Sequence, residues 1–271
     1  MLDPELRRRL AAGPLTVAEL FAADGAVARY YERAATLGGA GDFVTAPEIS
    51  QIFGELVGLW LADAWQRQGA PSDAVVVELG PGHGTLMRDL DRARRVVGGF
   101  AAAPVHLVER SRRLAARQAE TLAHLAPTFH GDLATLPDAP LFVVANEFLD
   151  ALPVHQLVAA ADGWRERIVG APDGVAVWDA RPAPRALAAR ADALFPDPAT
   201  GAVVELAPAR EALVADLAGR IAARGGAALF VDYGADRPAA ADTLQAVAAH
   251  RPVDVLATLG TADLTAAVTF A

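Results

Sequence analysis

The stretch that decides the fold is Val77-Glu78-Leu79-Gly80-Pro81-Gly82-His83-Gly84-Thr85-Leu86. It begins in the β-branched run Ala74–Val77, which predicts a strand buried on both faces. It ends where a helix is expected from about Thr85. Glycine at 80, 82 and 84 lies between the two, so the backbone there can approach a ligand closely or take positive φ. The spacing is G-x-G-x-G. A dinucleotide fingerprint is G-x-G-x-x-G and holds a pyrophosphate on a helix N-terminus. Glu78, two residues before the first glycine, would repel a pyrophosphate and would pair with an ammonium. S-adenosylmethionine, which carries an amino-acid ammonium and no phosphate, suits the loop. A plain tight strand-to-helix turn is the simpler reading.

Outward from this loop, strands are expected at Val105–Glu109, Thr128–Asp132, Leu141–Asn146 and Ala227–Gly234. Helices are expected at Ser111–Leu125 and Arg210–Arg224. Strands alternating with helices predict an α/β fold with a mostly parallel, doubly wound, Rossmann-like sheet. Ligands of such sheets bind at the carboxyl ends of the strands, and these strands end on polar residues. Glu109 is placed to hold the hydroxyls of a ribose, or is a solvated strand end. Asp132 is placed to accept from an adenine amino group, or caps a helix. Asn146, Glu147 and Asp150 face the reacting group, or make a turn and a cap. Asn146 is the only asparagine in the chain. Asp232 and Tyr233 border the same crevice.

The composition narrows the chemistry. The chain has 271 residues, a formal charge of −9, 53% hydrophobic residues and no cysteine. Disulfides, thiolate metal sites and a cysteine nucleophile are excluded. All 24 basic residues are arginine, which excludes Schiff-base, pyridoxal-phosphate and P-loop lysines. The acidic balance argues against nucleic acid as a partner. The six histidines form no H-x-x-x-H pair, so no metal site is expected. No apolar run is long enough to span a membrane, and Met1–Arg9 lacks the apolar stretch of a signal peptide. A cytoplasmic, bacterial protein is the expectation.

Three segments flank the core. Residues 1–72 read as helical, with Thr16 capping a helix over Leu15–Ala23. Another helix starts near Pro47 behind Thr45, with Ile49, Ile52, Phe53, Leu56, Val57 and Trp60 on one face. The sheet is expected to draw on 73–153 and 205–271. Residues 154–204 read as a small β insertion between strands four and five, on the substrate side, with Asp-Gly turns at Asp162 and Asp173. After Tyr233 one helix is expected at about Ala240–Ala249, and the late runs at 253–257 and 268–270 are short. The usual final hairpin is therefore expected to be incomplete, with strand five at an open edge that a second copy would cover in a homodimer.

At this point the residues resemble a family. Gly41-Asp-Phe-Val-Thr-Ala-Pro-Glu-Ile-Ser-Gln-Ile-Phe-Gly-Glu-Leu-Val-Gly-Leu-Trp60 is similar to the signature of the MidA-like methyltransferases, a family that includes a mitochondrial complex I assembly factor. Glu78–Leu86, Asn146–Pro153, Gly226–Gly234 and Asp242-Thr-Leu-Gln-Ala-Val247 resemble further blocks in the same order. The resemblance implies a class I methyltransferase core, S-adenosylmethionine converted to S-adenosylhomocysteine, and methylation of arginine on a complex I subunit. Near the end the family histidine and acid are replaced by Ala267 and Thr269.

The expected cofactor residues are Glu78, Gly80, Gly82, Gly84, Thr85, Glu109, Asp132 and Asn146. Gly41–Ser50 is expected to close over the cofactor, with Asp42, Phe43, Thr45, Pro47 and Glu48 as the contacting residues. A guanidinium has a pKa of about 13 and stays charged, so carboxylates must orient it. Glu147 and Asp150 would supply that pair, and Asn146 would direct the nitrogen lone pair towards the methyl. The acceptor is then an exposed arginine on a protein. A small-molecule acceptor, or a non-catalytic assembly factor that binds the cofactor, are the other readings.

Overall fold

A computed structural model describes residues 3–22, 25–32 and 45–270. They divide into two compact units, neither continuous in sequence.

One unit, drawn from 45–148 and 213–232, holds a five-stranded sheet. Its strands are β1 (Val75–Leu79), β2 (Val105–Val108), β3 (Thr128–His130), β4 (Leu141–Asn146) and β5 (Gly226–Val231). The order is β5-β4-β1-β2-β3 and every pairing is parallel. All five residues of β1 are buried, as the unbroken β-branched run requires. Alternate side chains serve opposite faces. Val76, Leu107, Phe142 and Val144 join one apolar cluster with Leu61, Trp65, Leu86, Leu90 and Phe100. Val75, Val77, Leu79 and Val143 join another with Leu217 and the partly buried Leu213 and Ile221. The strand order reverses between β1 and β4, which opens a crevice at their carboxyl ends.

The helices that carry site residues are α1 (Gln51–Arg67), α2 (Thr85–Arg94) and α3 (Arg112–Thr121). Two features of α1 correct the expectation. The helical run from Pro47 is broken at Ser50, whose backbone is extended, so Ala46–Ile49 forms a separate turn. The buried face is Gly54, Val57, Gly58, Leu61, Ala62 and Trp65, whereas Ile49 is 74% exposed, Ile52 64% and Leu56 61%. The glycines explain it. A Cβ at Gly58 would stand 2.5 Å from the Leu90 carbonyl oxygen, and one at Gly54 2.7 Å from Asp89 Cβ. The side lacking side chains is the one that lets α1 close on α2.

The other unit, drawn from 3–22, 25–32, 149–212 and 233–270, is built on antiparallel strands. Leu15–Thr16, Gly163–Gly170, His155–Ala160 and Val203–Leu206 lie side by side, and Val177–Pro182 also pairs with Gly163–Gly170. Between His155–Ala160 and Gly163–Gly170 lies the two-residue loop Ala161-Asp162, followed by Gly163 at φ +113°, and Asp173 lies in the left-handed region. Thr16 caps a short helix, Val17–Leu20, and forms a capping box with Glu19. Leu6, Leu10, Val17, Leu20, Val154, Val169, Ala246 and Leu264 share one core.

This division differs from the expected boundaries. Residues 1–72 are not one segment, because Leu15–Thr16 pairs with the insertion while α1 packs on the sheet. Residues 233–270 join the insertion rather than the sheet. The helix expected near Ala240–Ala249 is instead the strand Gln245–Ala248, paired on one side with Arg251–Val253 and on the other with Asp263–Thr265. Strand pairing on both sides overrides the helical preference of its alanines. Val268–Thr269 pairs with Gly234–Ala235. Among the described residues β5 is consequently an edge strand, with β4 on one side only.

Candidate functional site

Residues at the carboxyl ends of the parallel strands make up the candidate site. β1 leads into Gly80-Pro81-Gly82-His83-Gly84, where the three glycines have φ of +61°, +56° and +80°. Side-chain-bearing residues avoid that region, so the glycine spacing is imposed by the turn. Gly80 is also covered closely, since a Cβ there would lie 2.7 Å from the Phe148 ring. Gly84 is the N-cap of α2 and has no side chain to satisfy the first helical N–H groups.

Glu78 is 2% exposed. Its Oε2 has no hydrogen-bond partner. Burial pushes its pKa up to about 8, the Met87 backbone N–H pulls it down, and the charge of Glu109 adds to the rise. A buried carboxyl with an unpaired oxygen costs stability unless something completes it.

Glu109 follows β2, and its backbone N–H donates to the His130 carbonyl. Its two carboxylate oxygens are held separately. Oε1 accepts from the Ser111 N–H at 2.8 Å, and Oε2 accepts from Gln118 Nε2 at 2.9 Å. Gln118, on α3, also donates from Nε2 to the Gly82 carbonyl at 2.9 Å. It is fully buried, and its Oε1 has no partner. The sequence reading missed Gln118. The available signal was a polar residue one turn beyond Leu114 on the buried side of an amphipathic helix.

Asp132 follows β3, is exposed, and accepts the Ala134 N–H at 2.9 Å, so Oδ1 caps the turn Leu133–Thr135. His130, two residues earlier, meets His106 at 2.8 Å between ring nitrogens and Thr135 Oγ1 at 2.9 Å. Burial lowers the pKa of both imidazoles.

β4 ends on Asn146 and is followed by Glu147, a non-glycine residue at φ +47°. The Glu147 N–H donates to the Val231 carbonyl at 2.8 Å, which fixes the bend. Its half-buried carboxyl is raised in pKa by burial first. The Asn146 amide lowers it, the Asp232 charge raises it and the Ala46 backbone N–H lowers it. Asn146 Nδ2 lies 3.4 Å from Glu147 Oε1, and Asn146 Oδ1 is buried without a partner. Asp232 accepts the Phe148 N–H at 3.2 Å.

The segment ahead of α1 reaches this cluster. Ala46 meets Glu147, and Glu48 Oε1 accepts the Thr85 hydroxyl at 2.6 Å and lies 3.7 Å from His83 Nδ1. Pro47 is buried, and Thr45 is the N-cap of Ala46–Ile49 without a side-chain hydrogen bond. Asp42 and Phe43 lie outside the described residues. Asp150 belongs to the other unit. There it is 6% exposed, its carbonyl accepts from Arg210 Nη2 at 3.2 Å and from the Ala266 N–H, and its charge raises the pKa of Tyr31.

Among the described residues, four buried side-chain polar atoms lack a hydrogen-bond partner, and three are Glu78 Oε2, Gln118 Oε1 and Asn146 Oδ1. One is on β1, one ends β4, and the third belongs to the residue bonded to the glycine loop. No helix among the described residues is long and apolar enough to cross a membrane.

The chain matches, over residues 56–271, the model of a family described as "Putative S-adenosyl-L-methionine-dependent methyltransferase". It is similar to the protein arginine methyltransferase NDUFAF7, mitochondrial, of Xenopus tropicalis, 36% identical over 285 residues that cover 95% of this chain and 66% of that protein. The human protein of the same name is 37% identical over 285 residues, covering 95% of this chain and 64% of its own length. The chain thus spans a little under two thirds of the length of these relatives. Among solved structures it resembles a Burkholderia thailandensis "likely methyl transferase" bound to S-adenosyl-homocysteine. That match has a TM-score of 0.81 and 30% identity, and covers 98% of this chain and 72% of that one. A native crystal structure of a protein from the same organism matches with a TM-score of 0.76 and 32% identity, over 98% and 71% of the two chains.

Proposed function

Since the chain belongs to this family of S-adenosyl-L-methionine-dependent methyltransferases, we propose that it transfers a methyl group from S-adenosylmethionine to an arginine exposed on a protein substrate. The observation that carries the reading is the gathering of unpaired buried polar atoms, Glu78 Oε2, Gln118 Oε1 and Asn146 Oδ1, around a glycine loop at the strand ends. Polar groups left unpaired in a core are costly, and a polar ligand in the crevice would complete them.

The cofactor supplies a methyl group on a positively charged sulfur. The chain's own residues bind and orient. Glu78 takes the ammonium, and the positive-φ backbone of Gly80, Gly82 and Gly84 allows close approach. Glu109 takes the ribose hydroxyls with oxygens already fixed by Ser111 and Gln118. Asp132 keeps Oδ2 for the adenine amino group. Thr85 and Glu48 join the glycine loop to the Thr45–Ser50 segment, which shields the site from water. The Glu147 carboxylate orients a guanidinium by paired hydrogen bonds, and Asn146 directs the nitrogen. The names of the relatives support arginine as the acceptor. The MidA-like resemblance supports a complex I subunit as the substrate type.

The test is transfer of a labelled methyl group from S-adenosylmethionine into cell extract by the purified chain. Label on protein arginine supports the reading. Label confined to small molecules assigns a different acceptor, and bound cofactor without transfer assigns a binding role.

A further inference from the structure

The backbone of β5 shows which of its groups face away from the sheet. The Gly225 and Val231 carbonyls accept the Leu141 and Glu147 N–H groups. Alternate residues of a strand bond the same neighbour, so Ala227 and Leu229 face β4 as well. Gly226, Ala228 and Phe230 turn their N–H and C=O groups outward. Gln68, the C-cap of α1, covers the first of these. It accepts the Gly226 N–H at Oε1 and donates from Nε2 to the Gly226 carbonyl, each at 2.7 Å. Ala228 and Phe230 remain, with no strand beside them among the described residues.

Exposed edges are ordinarily blunted by charge, proline or a bulge. Gly226-Ala-Ala-Leu-Phe-Val231 has none of these, and its register on β4 is unbroken. The helix above the edge is apolar too. α1 packs over β4 and β5, with Gly54 and Gly58 against α2. α2 connects β1 to β2, on the side away from β5. At 100° per residue, Leu56 and Trp60 each lie about 160° from Gly58. They therefore point past the open edge, and they are 61% and 41% exposed.

We infer that the outer edge of β5 is a homodimer interface, where Ala228 and Phe230 pair antiparallel with Phe230 and Ala228 of a second copy about a two-fold axis at Leu229. The symmetry of the edge selects this occupant. One outward residue stands on each side of Leu229, so the edge is complementary to itself reversed. Each opposed pair exchanges two backbone bonds, and Gln68 keeps its place. The axis stands perpendicular to the sheet, which sets both α1 helices on the same face. Each helix spans β4 and β5, and strands pair about 4.8 Å apart. The two helix axes then lie about 10 Å apart, the spacing of packed helices, with Leu56 and Trp60 between them. Edge and helix face together bury about 700 Å² of each copy, close to the roughly 800 Å² per partner of a stable interface. The pairing is closed, because it uses the same edge of both copies.

The experiment is size-exclusion chromatography with light scattering, together with residue-resolved amide hydrogen exchange, on the purified chain. At about 0.1 mM, where even a weak interface is populated, wild type should be a dimer. The Ala228 and Phe230 amides should then be protected, and should lose that protection on dilution to monomer. The Ala227, Leu229 and Val231 amides, bonded to β4, should keep theirs throughout. Leu56→Glu changes a side chain that is exposed in a single copy. Ala228→Pro removes an outward N–H that β4 does not use. Each should convert the dimer to monomer while the circular dichroism spectrum is retained. If Ala228→Pro does not fold, Leu56→Glu carries the test. A monomeric wild type overturns the inference. So does a dimer that a folded variant leaves intact, or one whose Ala228 and Phe230 amides exchange as fast as in the monomer.

Discussion

Thr85 donates its hydroxyl to Glu48 across 2.6 Å, and this bond ties the turn ahead of α1 to the first residue of α2. The acceptor is a carboxylate, so the bond is of the stronger, charge-assisted kind. Glu48→Ala releases the segment from the glycine loop while leaving both apolar clusters of the sheet untouched. Binding of S-adenosylhomocysteine should weaken about tenfold, in line with the 1.5–3 kcal/mol of such bonds. The melting temperature should change little. Calorimetry and a thermal melt on the same sample measure both, and unchanged affinity would remove the segment from the site.

Glu78 gives the protein a pH dependence of definite sign. Its carboxyl titrates near 8 in the fold, against 4.5 for an ordinary glutamate. Between these values the folded chain holds a proton that the unfolded chain has lost, so this group makes stability fall as pH rises through the window. Glu78→Gln should flatten that part of the profile of melting temperature against pH. The cofactor ammonium calls for the ionised form, so binding by wild type should release protons and tighten from pH 5 towards 8. Calorimetry in buffers of different ionisation enthalpy reads the proton count, and a count of zero at pH 6 would exclude the Glu78–ammonium pairing.

Glu147 is held at φ +47° and its carboxyl is half-buried beside Asp232. Strain of this kind concentrates where a side chain is needed for function. Glu147→Gly should raise stability by about 1 kcal/mol by relieving the backbone, while methyl transfer is lost. Glu147→Gln keeps the backbone and the shape and removes the charge. It should depress transfer at least tenfold with cofactor affinity nearly unchanged, since the guanidinium loses a charge-assisted partner. Equal turnover by Glu147→Gln and wild type would refute the orienting role.

Gly58 stands where α1 crosses α2, with the Leu90 carbonyl in the place of a side chain. Gly58→Ala improves helix propensity and still should destabilise the chain, by about 1–3 kcal/mol, because backbone must move to admit the methyl group. A chemical denaturation curve decides it. A stabilised variant would mean that α1 approaches α2 less closely than the structure has it.

The parallel sheet was legible because each strand is a short apolar run followed by a polar residue, and because Gly80, Gly82 and Gly84 mark the turn after β1. Glu78, Glu109, Asn146 and Glu147 were proposed from position alone, on or just after the ends of strands that the structure places side by side. The face of α1 was legible only in part: Val57 and Phe53 do pack on the core, but Ile49, Ile52 and Leu56 are exposed because two glycines turn the helix to a neighbouring side. Gln118 was hidden inside a helix, where its place one turn beyond Leu114 on the buried face was the one local sign of it. The strand Gln245–Ala248 owes its form to partners on both sides, which local preference does not reveal. The extent of the second unit was missed for a related reason, because Leu15–Thr16 pairs with Ile168–Val169 across more than half of the chain.

The interleaving of the two units governs how the chain emerges from a ribosome. Synthesis runs from the N-terminus, and domains tend to fold as units when they are complete. Here β4 is made well before β5, and the whole of 149–212 is made between them. During that interval Leu141-Phe-Val-Val-Ala145, buried in the finished protein, has no neighbour on its outer side. A nascent chain arrested or cleaved after β4 exposes a five-residue apolar β segment with no charge and no proline, the composition that seeds intermolecular pairing. The sheet whose strand ends carry the candidate site thus also contains a segment that needs protection before β5 arrives.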